Sequence, residues 1–188
     1  TELDAVRAFG HTWRVEALLE IHRRHLASAR EETNLVGPGP LAPHYDDCRL
    51  ALAALHPSGR WADLGSGAGF PGIVFAAMFP DVAVDLVENR RKRVLFLEAV
   101  VAEVTTEAPR PAALRVLGHS LARLPDRSYD GVLARALAKP PVVVEHARRL
   151  LRPGGRVVLF LQADAAVPHA ADFTLERETP YEVGDKRR

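Results

Sequence analysis

The sequence offers little that could be crosslinked, buried in lipid or wrapped around a metal. A single cysteine, Cys48, excludes an intramolecular disulfide framework. With no signal peptide and no apolar run of membrane-spanning length, the expected compartment is the cytosol. Cys48 itself reads as a small packed side chain rather than a nucleophile. The eight histidines show no ligand spacing beside cysteine or aspartate, so no metal is expected. There is no internal repeat, low-complexity tract or shift of composition to divide the 188 residues, and 47% hydrophobic content suffices for one sizeable core.

Net charge is also scarce, only +1, yet that total hides clusters. Basic residues gather at His22-Arg23-Arg24-His25, at Arg90-Arg91-Lys92-Arg93, and at Arg148-Arg149 with Arg152. Solvated helix faces account for such runs equally well. The His22 and His25 pair, three residues apart, reads as a surface pair.

What the chain does have is a stretch, Trp61-Ala-Asp-Leu-Gly-Ser-Gly-Ala-Gly-Phe-Pro-Gly72, in which an apolar strand runs into four glycines and then an apolar helix. Glycine permits positive φ and close backbone approach, and the helix beginning near Pro71 aims unpaired N–H groups at the crevice above the strand. Val82-Ala-Val-Asp-Leu-Val-Glu88 reads as the next strand. Its terminal Glu88 lies about 20 residues beyond the glycines, where a carboxylate accepts ribose hydroxyls. A bound adenosine follows. Gly67, Gly69 and Gly72 satisfy the dinucleotide spacing, whereas Gly65, Gly67 and Gly69 behind Asp63 fit a methyltransferase loop. A carboxylate beside a pyrophosphate is costly, while a cofactor carrying an amino group and a sulfonium tolerates it, so Asp63 favours S-adenosylmethionine over a nicotinamide dinucleotide.

Hydrophobic spacing predicts an N-terminal helix over 2–29, with Leu3, Val6, Phe9, Trp13, Ala17 and Ile21 on its stripe and Val15, Leu19 and Leu26 widening it. Residues 37–43 break the chain, and helical spacing resumes over 46–55. Strands are then expected at 60–64, 82–88, 113–117, 131–135, 156–162 and 173–178, with helices at 71–79, 89–105 (Asn89 as its cap) and 140–151. Val94, Leu97, Val101 and Val104 form the stripe of the second of these helices. Leu150 to Phe160 reads as a helix end, a Pro-Gly-Gly turn and an apolar strand. Such alternation predicts an α/β fold: a Rossmann-like, mostly parallel sheet with helices on both faces and an N-terminal helical extension. Residues 1–57 are the extension and 58–188 the methyltransferase domain, whose last strand is expected past Val183.

At this point the chain resembles a known family, the small-subunit ribosomal RNA methyltransferase G proteins, also called glucose-inhibited division protein B. The likeness rests on Asn34-Leu35, on His44-Tyr-Asp-Asp-Cys48 beside the family's His-x-x-Asp-Ser element, and on the loop from Asp63 to Gly72. Lys92-Arg93-Val-Leu-Phe-Leu97 and Tyr129-Asp-Gly-Val-Leu-Ala-Arg-Ala136 extend it, so that it covers about 34–162.

The resemblance implies methyl transfer from S-adenosylmethionine to N7 of a guanine in 16S ribosomal RNA, free or within the small subunit, by a monomer. It implies that Asp63, Gly65, Ser66, Gly67, Gly69 and Phe70 cradle the cofactor, with Glu88 and Asn89 at the ribose and Ser120 and Leu121 at the adenine edge. Arg135 faces the same crevice, and His44, Asp47 and Arg135 line the substrate side. Phe70, Tyr45 and Phe160 are candidate stacking platforms that compete with a core-packing reading. Pro43 stands where the family usually has arginine, Gln162-Ala163 where it has Lys-Gly, and Gly118 to Leu121 lacks the usual acid. Loss of two cationic anchors leaves open a small-molecule methyltransferase, or a cofactor-binding paralogue without catalysis.

Overall fold

The computed structural model describes residues 2–29, 35–107, 113–184 and 186–187, with the backbone alone for 2–15, 107, 186 and 187. Five strands, β1 (Arg60–Leu64), β2 (Ala83–Val87), β3 (Ala113–Leu117), β4 (Tyr129–Arg135) and β5 (Leu151–Phe160), pair in parallel in the order β3-β2-β1-β4-β5. The chain builds outward from β1 to β3 and then returns to the other side of β1. The crevice opened by that reversal, at the C-terminal ends of β1 and β4, is where α/β sheets of this topology hold ligands.

Strand alternation explains the layering. In β1 and β2 the side chains of Trp61, Val84 and Leu86 enter one core, while Ala62, Leu64 and Val87 enter another on the opposite face. The first core is roofed by four helices, α1 (Glu2–Ala29), α2 (Ala42–Leu52), α3 (Gly72–Met78) and α4 (Arg91–Glu107). The second has α5 (Pro140–Leu150), together with Leu124 from the segment joining β3 to β4. That joining segment holds only a 3-10 turn, Leu121–Arg123, in place of a crossover helix.

An ionic clasp lies where a helix is missing. The buried carboxylate of Asp85 accepts two hydrogen bonds from Arg60 (2.9 and 2.6 Å), two from Arg115 (2.9 and 2.8 Å) and one from Tyr129 (2.8 Å). Burial pushes the Tyr129 hydroxyl up, which keeps it a donor. One side chain thus joins β1, β2, β3 and β4.

The expected fold is present, with local differences. Helix α4 begins at Arg91 rather than 89, so Asn89 is not its cap. Helix α2 begins at Ala42, four residues before the spacing predicted, because Pro43 is tolerated in a first turn whose N–H groups need no helical partner. β5 runs from Leu151, and Pro153-Gly154-Gly155 loops out within it: Tyr129 pairs with Leu151, then Gly131 with Arg156. No strand forms at 173–178. That stretch is mostly exposed and pairs with no strand, so its alternation is not ordered into a ladder. A short antiparallel pair, β6 (Glu182–Val183) and β7 (Lys186–Arg187), follows. Among the described residues no helix is long and apolar enough to cross a membrane.

Candidate functional site

The glycine loop between β1 and α3 uses its glycines unequally. Gly65, Gly67 and Gly69 all have positive φ, at 73°, 58° and 96°. A Cβ on Gly65 would fall 2.6 Å from Leu137 Cδ1, and one on Gly69 would fall 2.5 Å from Ile73 Cδ1 and 2.9 Å from His22 Nε2. Gly72 is packed on Asp63 and Leu86 in the same way. Gly67 differs: a Cβ there would come no closer than 3.6 Å to anything, that nearest atom being Nη1 of Arg93. Three glycines therefore serve the protein's own packing, and Gly67 is the one that opens the backbone to the crevice.

Acidic groups hold this loop from two sides. Glu88, at the end of β2, accepts the Gly67 N–H on Oε2 (3.0 Å) and the N–H groups of Asn89 and Arg90 on Oε1 (both 2.8 Å). Arg93 lies 3.7 Å from the same Oε2, which places one member of the basic run at the rim of the crevice. Asp63 lies beneath the loop, fully buried, with Oδ2 accepting the Gly72 N–H at 3.0 Å and Oδ1 without a hydrogen-bond partner. Burial drives its carboxyl up from 3.8 to about 7. Asp63 thus supports the loop from behind, while Glu88 faces the crevice. Ser66, also buried, hydrogen-bonds to the Asp63 carbonyl, and Ser120 and Leu121 sit at the start of the 3-10 turn after β3.

Open space above Gly67 and a carboxylate at the end of β2 fit an adenosine cofactor, with Glu88 as the group that would receive its ribose.

The second half of the site is made of side chains. Arg135, at the end of β4, places Nε 3.3 Å from Asp47 Oδ2 and donates Nη2–H to His44 Nδ1 at 2.8 Å. Its Nη1 is 3.6 Å from Cys48 Sγ, and its guanidinium lies 5.6 Å from the centre of the Phe70 ring. Because a guanidinium only donates, His44 presents a lone pair at Nδ1, which places its proton on Nε2. Burial pushes the Cys48 thiol up to about 12, so it is an inert packing group beside Arg135. Phe70 closes the cluster, with ring centres 5.4 Å from His44 and 4.9 Å from Tyr45.

His44, Asp47 and Arg135, foreseen from sequence, are therefore brought together, one turn of α2 meeting the end of β4. Two partners were not foreseen. Tyr181 donates its hydroxyl to Asp47 Oδ1 at 3.0 Å, from 134 residues along the chain. His22 is not on the surface, as its basic neighbours suggested, but wholly buried, 2.7 Å from the Ala68 carbonyl oxygen. Its position on the α1 stripe next to Ile21 was the available signal. Tyr45 and Phe70 are core residues, Phe160 is half-buried, and Asn89 is exposed. Asn34, and the side chains of Leu3, Val6, Phe9, Trp13 and Val15, lie outside the described residues.

Both the sequence and the fold match known proteins. Residues 15–182 match the family GidB, rRNA small subunit methyltransferase G. Among curated relatives, the ribosomal RNA small subunit methyltransferase G of Desulfitobacterium hafniense (strain Y51) is 40% identical over 114 residues, covering 60% of this chain and 46% of that protein. The Rhodopseudomonas palustris (strain TIE-1) protein of the same name is 33% identical over 173 residues, covering 89% of this chain and 74% of that one. The chain thus spans from about half to three-quarters of the length of these two relatives. In fold, it is similar to a putative S-adenosyl-L-methionine-dependent methyltransferase from Methanococcus maripaludis, with a TM-score of 0.53, 14% identity and coverage of 73% of this chain and 62% of that one. TYW2 of P. horikoshii, solved in complex with MeSAdo, gives a TM-score of 0.51 at 13% identity over 62% of this chain and 42% of that one. The match over residues 15–182 and the relative at 33% identity over 89% of the chain place it in the rRNA small subunit methyltransferase G family.

Proposed function

We propose that this chain transfers a methyl group from S-adenosylmethionine to N7 of a guanine in 16S ribosomal RNA. One observation carries the proposal: the open approach to the backbone at Gly67 beside Glu88 and the Arg135 cluster share the C-terminal edge of the sheet, at the ends of strands β1, β2 and β4. The bound cofactor supplies an electrophilic methyl on a sulfonium centre. Guanine N7 already presents a lone pair and carries no proton, so the protein needs no general base. Its task is alignment and exclusion of water.

In this reading Glu88 receives the ribose and Gly67 lets the nucleoside approach the backbone, while Asp63 keeps the loop in place from below. Ser120 and Leu121 lie at the adenine side. Arg135 is held by an ion pair with Asp47 and by hydrogen bonds to His44 and Cys48, which take two of its five N–H groups and leave others for the substrate. Arg90 to Arg93 supply positive charge at the rim for the phosphates of an RNA. Both halves of the site come from one chain, which supports a monomer, and a ribosomal substrate supports action in the cytosol.

The test is transfer of labelled methyl from S-adenosylmethionine to deproteinised 16S RNA and to intact small subunits, followed by mass mapping of the product. One new methylguanosine supports the reading. Binding of the cofactor with no incorporation into either RNA sinks it and favours a small-molecule acceptor, as the replacement of two basic residues by Pro43 and Gln162 would allow.

A further inference from the structure

Helix α1 reaches the cofactor loop through one side chain. His22 is wholly buried, with its ring centre 5.1 Å from Phe70 and 6.0 Å from Phe96 in tilted or edge-on packing. Its Nε2 is 2.7 Å from the Ala68 carbonyl oxygen and its Nδ1 is 2.9 Å from the Tyr45 hydroxyl. These partners fix the tautomer. A carbonyl only accepts, so Nε2 carries the proton, and Nδ1 is left to accept the Tyr45 O–H. Burial pushes the imidazole down to about 4, consistent with a ring that stays neutral.

The bonded carbonyl belongs to the peptide that joins Ala68 to Gly69. The same planar unit carries the Gly69 N–H, which donates to the Ser66 carbonyl at 2.7 Å. Both ends of that peptide are therefore held, and the neighbouring peptide is the one that presents Gly67 to the crevice. Gly69 lacks a Cβ at the very place where His22 approaches, so loop and imidazole fit each other. On its other side His22 meets Tyr45, which lies between His44 and Asp47 in sequence order on α2, the helix that clamps Arg135.

We propose that His22 is a positioning residue that sets the peptide of the cofactor loop and, through Tyr45, fixes the distance between that loop and the substrate-side helix. The proposal rests on the cofactor reading given above. Two separate effects follow. Losing the donor at Nε2 loosens the loop and weakens cofactor binding. Losing the Tyr45 hydroxyl leaves the loop in place but frees α2, so methyl transfer slows while cofactor affinity stays.

Three variants separate them. Calorimetry with S-adenosylmethionine should show His22→Leu weakened about tenfold or more. His22→Gln, whose amide N–H can reach the same carbonyl, should stay within about threefold of wild type. Tyr45→Phe should bind within about twofold of wild type yet lose about fivefold or more in kcat, measured on the RNA that the wild type methylates or, failing that, on the acceptor it uses. A purely structural role would lower the melting temperature without dividing Kd from kcat in this way. Nitrogen-15 spectra of the folded wild type give a second readout that needs no ligand: His22 should be protonated on Nε2 alone and should not titrate between about pH 5.5 and 8. Wild-type protein that fails to bind S-adenosylmethionine overturns the cofactor reading and this proposal with it. Wild-type binding matched by His22→Leu, or an Nδ1-protonated ring, overturns this proposal alone.

Discussion

The two halves of the site are built by opposite means. The proposed cofactor half is backbone: a loop in which Glu88, Asp63 and His22 take up N–H and C=O groups, with open space above Gly67. Its acceptors are acidic, and apart from His22 on α1 its elements adjoin in sequence. The substrate half is side chains: a guanidinium from β4 held by groups of α2 and by a tyrosine tether from Tyr181. A loop packed tightly at Gly65, Gly69 and Gly72 resists an added atom at those positions, whereas a cluster of paired charges fails when charge is removed.

Gly69→Val should separate the halves most strongly. The new Cβ meets Ile73 and His22 at a φ of 96°, so loop geometry cannot survive. S-adenosylmethionine affinity should fall by about a hundredfold or more in calorimetry. Retained affinity would mean that the loop is not the cofactor's seat.

Arg135→Ala tests the other half. Methyl transfer should drop by about a hundredfold, as loss of a placed cationic donor does, while cofactor Kd stays within about threefold. An equal loss in both would merge two regions that the structure keeps apart.

A third test uses the pH dependence of stability. Asp63 titrates near 7 when folded but at 3.8 in an exposed chain, so the folded state binds more protons between those values and Asp63 makes stability fall as pH rises through that window. His22 does the reverse: at about 4 folded against 6.5 exposed, it makes stability rise over its window. Each slope approaches about 1.4 kcal/mol per pH unit, and they oppose each other. Urea midpoints of the wild type should vary little from these two groups between about pH 4.5 and 6.5. Asp63→Asn should expose the rising slope, and His22→Gln the falling one. A flat profile for His22→Gln would exclude a raised Asp63 carboxyl, and a flat profile for Asp63→Asn would exclude a lowered His22.

The smallest effect belongs to the tether. Tyr181→Phe removes one hydrogen bond to a carboxylate that Arg135 still holds, so stability should fall by about 1 kcal/mol, a melting shift of about 2–4 °C, with cofactor affinity unchanged. A larger loss of transfer than of stability would make Tyr181 part of the substrate's seat.

The same contrast explains what the sequence disclosed. The cofactor half occupies residues 61–88, where strand, glycines, helix and acid follow one another at fixed spacing, so local rules locate it. The strand positions 60–64 and 113–117 coincide with β1 and β3 for the same reason. Arg135 and the His44–Asp47 pair could be nominated singly, but their meeting depends on how α2 is laid across the sheet. His22 was misread because hydropathy assigns an imidazole among arginines to water. Only the fold supplies the carbonyl and hydroxyl that make its burial affordable. Tyr181 had no nearby pattern at all.

The Asp85 clasp bears on how the strands find their alignment. Val84 and Leu86 line one face of β2 and Val87 the other, so hydrophobicity alone separates the register of this strand poorly from one slid by two positions. The carboxylate removes that degeneracy. Asp85 lies opposite Ala62 and Arg115, with Arg60 and Tyr129 in reach, and a slide by two would strand a dehydrated anion some 7 Å from its cations. It works as a keyed lock on an otherwise greasy rail.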